Sequence, residues 1–162
     1  MTFFITFACY GAHLHGDERG SVDRDNNKFG SPSLDKNANR ASFERHRLDQ
    51  PAYVLDEHRR TAVLESLREV CTHRCWTLLA AHVRTNHVHA VIGSEEKPEK
   101  ILNALKSYSS RRLNETEPER KRWARHGSTR WLWNQESVSA AIQYVVEGQG
   151  SPMSVFVSEP RP

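Results

Sequence analysis
The sequence holds no apolar run approaching the 18 or so residues that a membrane-spanning helix needs, so no such span is expected. Its start, Met1-Thr2-Phe3-Phe4-Ile5-Thr6-Phe7, lacks the basic lead-in and cleavage site of a secretory signal, and it alternates as a strand does. The expected location is the cytoplasm. Cysteine is scarce: Cys9, Cys71 and Cys75 are odd in number and show no framework spacing. Cys71 and Cys75 stand four apart with His73 between them, but a zinc site needs a second pair of ligands at compatible spacing, and none is evident. Reduced, structural thiols are the expectation. There is also no G-x-x-x-x-G-K-[ST] phosphate loop and no internal repeat.

What is present fits one soluble domain. A chain of 162 residues can bury a real core but cannot build two domains well. Apolar residues make up 37% and charged residues 27%, which is too apolar for wholesale disorder. The charge is uneven. From Arg84 to Arg130 there are 11 Lys and Arg against 6 Asp and Glu, a net of +5, while the remainder has 12 against 14, a net of -2. Arg111, Arg112, Arg120, Arg122 and Arg125 crowd the basic part, and guanidinium groups suit bidentate phosphate contacts. A solvated, mixed-charge face would look the same unless chemistry sits beside it.

Residues 2–10 place Phe3, Ile5, Phe7 and Cys9 on one side, the pattern of a first strand. Residues 11–50 follow as a long polar loop or flap, with a short helix near 42–48 as the alternative. Asp56 is a good N-cap for a helix reaching about Arg74, with Val63, Leu67, Val70 and Cys71 on one face. Trp76–Arg84 and His87–Gly93 read as a hairpin turning at Thr85-Asn86. Pro98 opens a second helix to about Asn114, striped by Ile101, Leu102, Leu105 and Leu113. Residues 115–127 read as a basic connector and Thr129–Trp133 as a strand. Asn134 then caps a last helix bearing Val138, Ala141, Ile142 and Val145, which ends at Gly148. This order predicts an α+β, ferredoxin-like sandwich: an antiparallel sheet with helices on one face, a long loop after the first strand and an extra C-terminal helix. A single domain over 1–150 and a frayed, flexible tail over 151–162 complete the expectation.

Chemistry points first to His87-Val88-His89. Residues two apart leave a strand on the same face, roughly 6.5–7 Å from each other, so two imidazoles can lean onto one ion. Val88, Ala90 and Ile92 point the other way and supply the core face. Satisfied or surface histidines are the bland alternative. The second piece is the helical run Leu105 to Leu113, where Tyr108 and Arg112 share a face and Arg111 lies beside them. A phenol with an intrinsic pKa near 10 must be activated before it attacks a phosphodiester, and a divalent ion on the histidines would polarise and position that phosphate.

Thr85-Asn86-His87-Val88-His89-Ala90-Val91-Ile92, followed by a helix with Leu105-Lys106-x-Tyr108-x-Ser110-Arg111, resembles the single-tyrosine HUH transposases, and within them the REP-associated tyrosine transposase branch. The stretches 16–24 and 125–130 are similar to segments in one bacterial subgroup. The resemblance implies that His87 and His89 hold Mg²⁺ or Mn²⁺. It implies that Tyr108 attacks single-stranded or hairpin DNA, leaving a 5′-phosphotyrosine and a free 3′-OH, so that the cut can be resealed without ATP. It also implies a nucleoid-associated location, with a homodimer as a candidate assembly. One departure stands out. Relatives often carry Gln or Asn four residues after the tyrosine as a third metal ligand, and here that position is Arg112; His15 and Asp17 are candidate substitutes, or the protein binds structured DNA without cutting it.

Arg84, Lys106, Arg111 and Arg112 are the expected phosphate contacts, acting without regard to sequence and weakening with salt. Trp131 and Trp133 alternate on one face, for core packing or base stacking. A phosphoesterase using His-x-His is the rival from another class. Its histidine-triad form wants a third histidine where this chain has Val91, and its two-histidine form wants a second H-x-T copy, which is absent. An RNA-binding sheet of the RRM type would carry aromatics where this chain carries histidines.

Overall fold
The computed structural model describes residues 1–12 and 50–160; the expected flap, with His13, His15 and Asp17, lies almost entirely outside the described residues. Five strands form one sheet: β1 (Thr2–Cys9), β2 (Thr77–Val83), β3 (His87–Gly93), β4 (Trp123–Leu132) and β5 (Ser154–Val157). Their spatial order is β4-β1-β3-β2-β5, and every neighbouring pair is antiparallel. Three helices complete it, α1 (Glu57–His73), α2 (Pro98–Asn114) and α3 (Gln135–Glu147).

Local chemistry accounts for the helix ends. Asp56 accepts the Arg59 N–H at 2.9 Å to start α1, and the Asn134 side chain accepts the Ser137 N–H at 2.8 Å to start α3. Pro98 begins α2 in the first turn, where its missing N–H costs nothing.

The sheet is buried on both faces, and its two middle strands read accordingly as nearly unbroken apolar runs. On one face Phe3, Ile5 and Phe7 of β1 and Val88, Ala90 and Ile92 of β3 pack with Val63, Leu67 and Val70 of α1 and Ile101 and Leu105 of α2. On the other face Phe4, Ala80, Val91 and Leu132 pack with Val138, Ala141 and Val145 of α3. Only α1 and α2 therefore share a face. The last helix closes the opposite side, because Phe4 and Val91 would otherwise lie in water.

Two stretches differ from the sequence reading. The supposed connector 115–127 gives its end to β4, which begins at Trp123. Trp123 meets Phe7 edge-on at 5.0 Å, and its indole N–H reaches the Lys106 carbonyl and the Ser110 hydroxyl. Tertiary packing thus recruits a polar stretch with no strand periodicity of its own. The supposed frayed tail contributes β5, which pairs with β2 and sets Phe156 beneath the Arg68 guanidinium at 4.8 Å.

Part of the basic stretch is structural. Arg122 is only 2% exposed and binds Asn114, Glu117 and the Pro118 carbonyl. The buried Tyr53 hydroxyl donates to Glu117 at 2.6 Å beside it, and burial, followed by that bond, pushes the phenol up to about 12. No described helix is long and apolar enough to cross a membrane.

Candidate active site
Strand parity decides what faces the histidines. Val88, Ala90 and Ile92 look toward α1 and α2, so His87 and His89 leave β3 on the α3 side, in line with Val91. Their rings stand 4.7 Å apart, nearly perpendicular. His89 is 7% exposed and stacks on Phe4 at 5.6 Å. Each ring is held at Nδ1 by a side-chain oxygen. Thr6 Oγ1 lies 2.8 Å from His89 Nδ1, and Asn86 Oδ1 lies 2.6 Å from His87 Nδ1. With Nδ1 engaged, Nε2 is the nitrogen each ring would offer a metal, the usual way an outer oxygen orients a ligating imidazole.

The third helix brings a tyrosine to this pair. Tyr144 on α3 sets its ring 5.8 Å from His89, at 74°, and edge-on to Phe4 at 5.9 Å, and it remains 38% exposed. The chain then turns tightly at Gly148, where a Cβ would lie 2.8 Å from the Tyr144 carbonyl and 3.0 Å from its ring. That turn delivers Gln149. Its Oε1 sits 3.5 Å from His87 Nε2, and its amide nitrogen sits 3.5 Å from the Tyr144 carbonyl.

Tyr108 is elsewhere. It is partly buried against the core on the α1/α2 face of the sheet, with its ring 6.4 Å from His73 and the Arg111 guanidinium 4.4 Å above it. The sheet lies between that phenol and the histidines, because α2 packs on the face that His87 and His89 leave. The structure joins the expected histidine pair but does not bring the expected tyrosine to it. The tyrosine whose ring lies near His89 is Tyr144. The missed signal was present: the alternation of β3 sends its histidines away from α2, and the last helix had to cover them.

The four expected phosphate contacts also divide. Arg84 borders the pair, its backbone N–H bonding the His87 carbonyl and its guanidinium the Ser151 carbonyl. Lys106, Arg111 and Arg112 ride on α2, across the sheet. Lys106 donates to the Ala124 and His126 carbonyls, and burial holds its amine below the usual lysine range. Arg112 is tied to Glu65 at 2.6 Å and Glu69 at 3.3 Å on α1. The departure noted at Arg112 therefore concerns a helix contact remote from the histidines.

The donor set suits a divalent ion: two imidazole nitrogens and an amide oxygen on one side of the sheet. Among the described residues no group of three or more His, Cys, Asp and Glu could hold one, so beyond the two imidazoles and Gln149 completion of the set falls to water or to residues outside those described.

A solved structure agrees with this architecture. No curated protein matches the sequence. Among solved structures, the REP-associated tyrosine transposase bound to a REP hairpin is similar in fold, with a TM-score of 0.51 and 9% identity over 91% of this chain. The present chain spans 65% of that protein's length. A putative transposase from Deinococcus radiodurans R1 overlaps 92% of this chain and 90% of its own length, at 16% identity and a TM-score of 0.47. The IS200-like transposase family matches residues 50–145, a span that contains His87, His89 and Tyr144. With more than half its length so matched, the chain belongs to the IS200-like transposases.

Proposed function
We propose that this protein cuts and rejoins single-stranded or hairpin DNA by transesterification, with Tyr144 as the nucleophile and His87, His89 and Gln149 as holders of a divalent metal, Mg²⁺ or Mn²⁺. The observation that carries the reading is the 5.8 Å approach of the Tyr144 ring to His89 within one chain. When bound, such an ion would polarise the scissile phosphate and offset its charge. The residues supply the rest. Tyr144 Oη attacks phosphorus, the P–O3′ bond breaks, and the phenol proton passes to the departing 3′ oxygen. One ester replaces another, and reversal reseals the strand. Thr6 and Asn86 hold the imidazoles in register, and the half-exposed position of Tyr144 gives a polymer access from solvent. The structural neighbour described as bound to a REP hairpin supports hairpin DNA as the substrate class.

Incubation with hairpin oligonucleotides carrying single-stranded flanks, in Mn²⁺, tests this directly. A covalent protein–DNA adduct should form, disappear in Tyr144→Phe and persist in Tyr108→Phe. An adduct that persists in Tyr144→Phe would overturn the assignment, and tight binding with no adduct would make the protein a DNA binder only.

A further inference from the structure
The most exposed large apolar side chain among the described residues is Trp133, at 79%. It lies just beyond β4 and stacks on Trp131, with ring centroids 4.9 Å apart and planes 9° from parallel. Trp131 is itself fixed from below by Phe3, edge-on at 4.6 Å. Packing therefore accounts for Trp131, whereas Trp133 buries little and presents a broad indole to water. The core packing open to this pair in the sequence is not what Trp133 does.

We propose that Trp131 and Trp133 form a platform on which an unpaired base of the DNA stacks. The inference rests on the DNA reading above and adds a contact away from the cutting site. A duplex base already has neighbours on both faces; an unpaired base has a π-face to give. The stack is also stiff, since an indole turns about only two side-chain bonds, so little entropy is lost on binding.

Charge and position favour a nucleic acid over an apolar partner. β4 is an edge strand whose ten residues include Arg125, His126 and Arg130 and no carboxylate. Arg125 and His126 are exposed at the end of β4 away from Trp133, Arg130 stands three residues before Trp133, and the exposed Glu136 stands three after it. The strand also reaches the proposed centre, for Ser128 pairs with Thr6, which pairs with His89. From Ser128 to Trp133 is five residues, about 17 Å at strand spacing. Because Trp131 pairs with Phe3, both indoles lie on the α1/α2 face, so a single strand leaving the histidine face would cross this edge past Arg130 to set a base on Trp133.

The test compares a hairpin bearing a single-stranded flank with its blunt counterpart. Trp133→Ala should weaken the flanked hairpin by about 5- to 150-fold and leave the blunt one unchanged, while Trp133→Phe keeps most of the affinity. Abasic sites in the flank should reproduce the loss with the unaltered protein and add nothing to Trp133→Ala. Equal binding of both hairpins by the unaltered protein and Trp133→Ala overturns the platform while leaving the cutting site standing. So does a Trp133→Ala change that alters only self-association, which would make the indole a contact between copies. No hairpin binding by the unaltered protein would end the DNA reading and this inference with it.

Discussion

Thr6 Oγ1 stands 2.8 Å from Nδ1 of His89, on the strand that pairs with β3 and in register with that histidine. If His89 is a metal ligand, this hydroxyl fixes its ring orientation. Thr6→Val keeps the shape and removes the oxygen, so Mn²⁺ affinity measured by calorimetry should fall by about 10- to 100-fold. Thr6→Ser should restore most of it. Equal affinity in all three proteins would remove Thr6 from the positioning role.

Gly148 is held to glycine by closeness rather than by its backbone angles. A Cβ there would lie 2.8 Å from the Tyr144 carbonyl, and backbone cannot give way cheaply. Gly148→Ala should cost about 1–3 kcal/mol in denaturant unfolding. Because the displaced group carries Tyr144 and leads into Gln149, adduct formation should fall by more than the folded fraction does.

His82 is fully buried beneath α3. Its Nδ1–H donates to the Val145 carbonyl at 2.9 Å, and its Nε2 accepts the Met153 N–H at 3.0 Å, which requires a neutral ring. Burial holds it below its ordinary value of 6.5. The unfolded chain therefore takes up a proton at a pH where the folded one does not. Its stabilisation is complete above about pH 6.5 and is lost as pH falls toward the depressed folded value. The stability gap between the unaltered protein and His82→Gln should narrow from pH 7.5 to pH 5.5. A constant gap would contradict the buried neutral ring.

The three cysteines should differ sharply in reactivity. Burial pushes the Cys9 and Cys71 thiols up to about 12, while Cys75 is exposed at a left-handed turn after α1. Iodoacetamide at pH 8 on the folded protein should label Cys75 alone, as read by peptide mass spectrometry, and all three after denaturation.

The local elements were plain from the residues. Asp56, Pro98, Asn134 and Gly148 mark helix ends by side-chain and backbone chemistry that acts within one turn, and each stands where the structure puts it. The hairpin at Thr85-Asn86 and the shared side of His87 and His89 follow equally from alternation along a strand. The start of β4 did not show, because Ala124 to Ser128 carry no alternation and are held through the ring of Trp123. Nor did β5, four residues whose pairing partner lies more than seventy positions earlier.

The sequence by itself determined that this chain is an antiparallel α+β domain bearing two histidines on one side of a middle strand, since caps and two-residue periods are properties of neighbours. Which tyrosine meets those histidines was decided only by tertiary structure. Tyr108 is 19 positions after His89 and Tyr144 is 55, yet nearness along the chain misleads. A sheet has two faces, and the core formed by Val88, Ala90 and Ile92 draws α2 to one of them while Phe4 and Val91 draw α3 to the other. That assignment comes from burying apolar surface across distant segments, which no single window of residues contains.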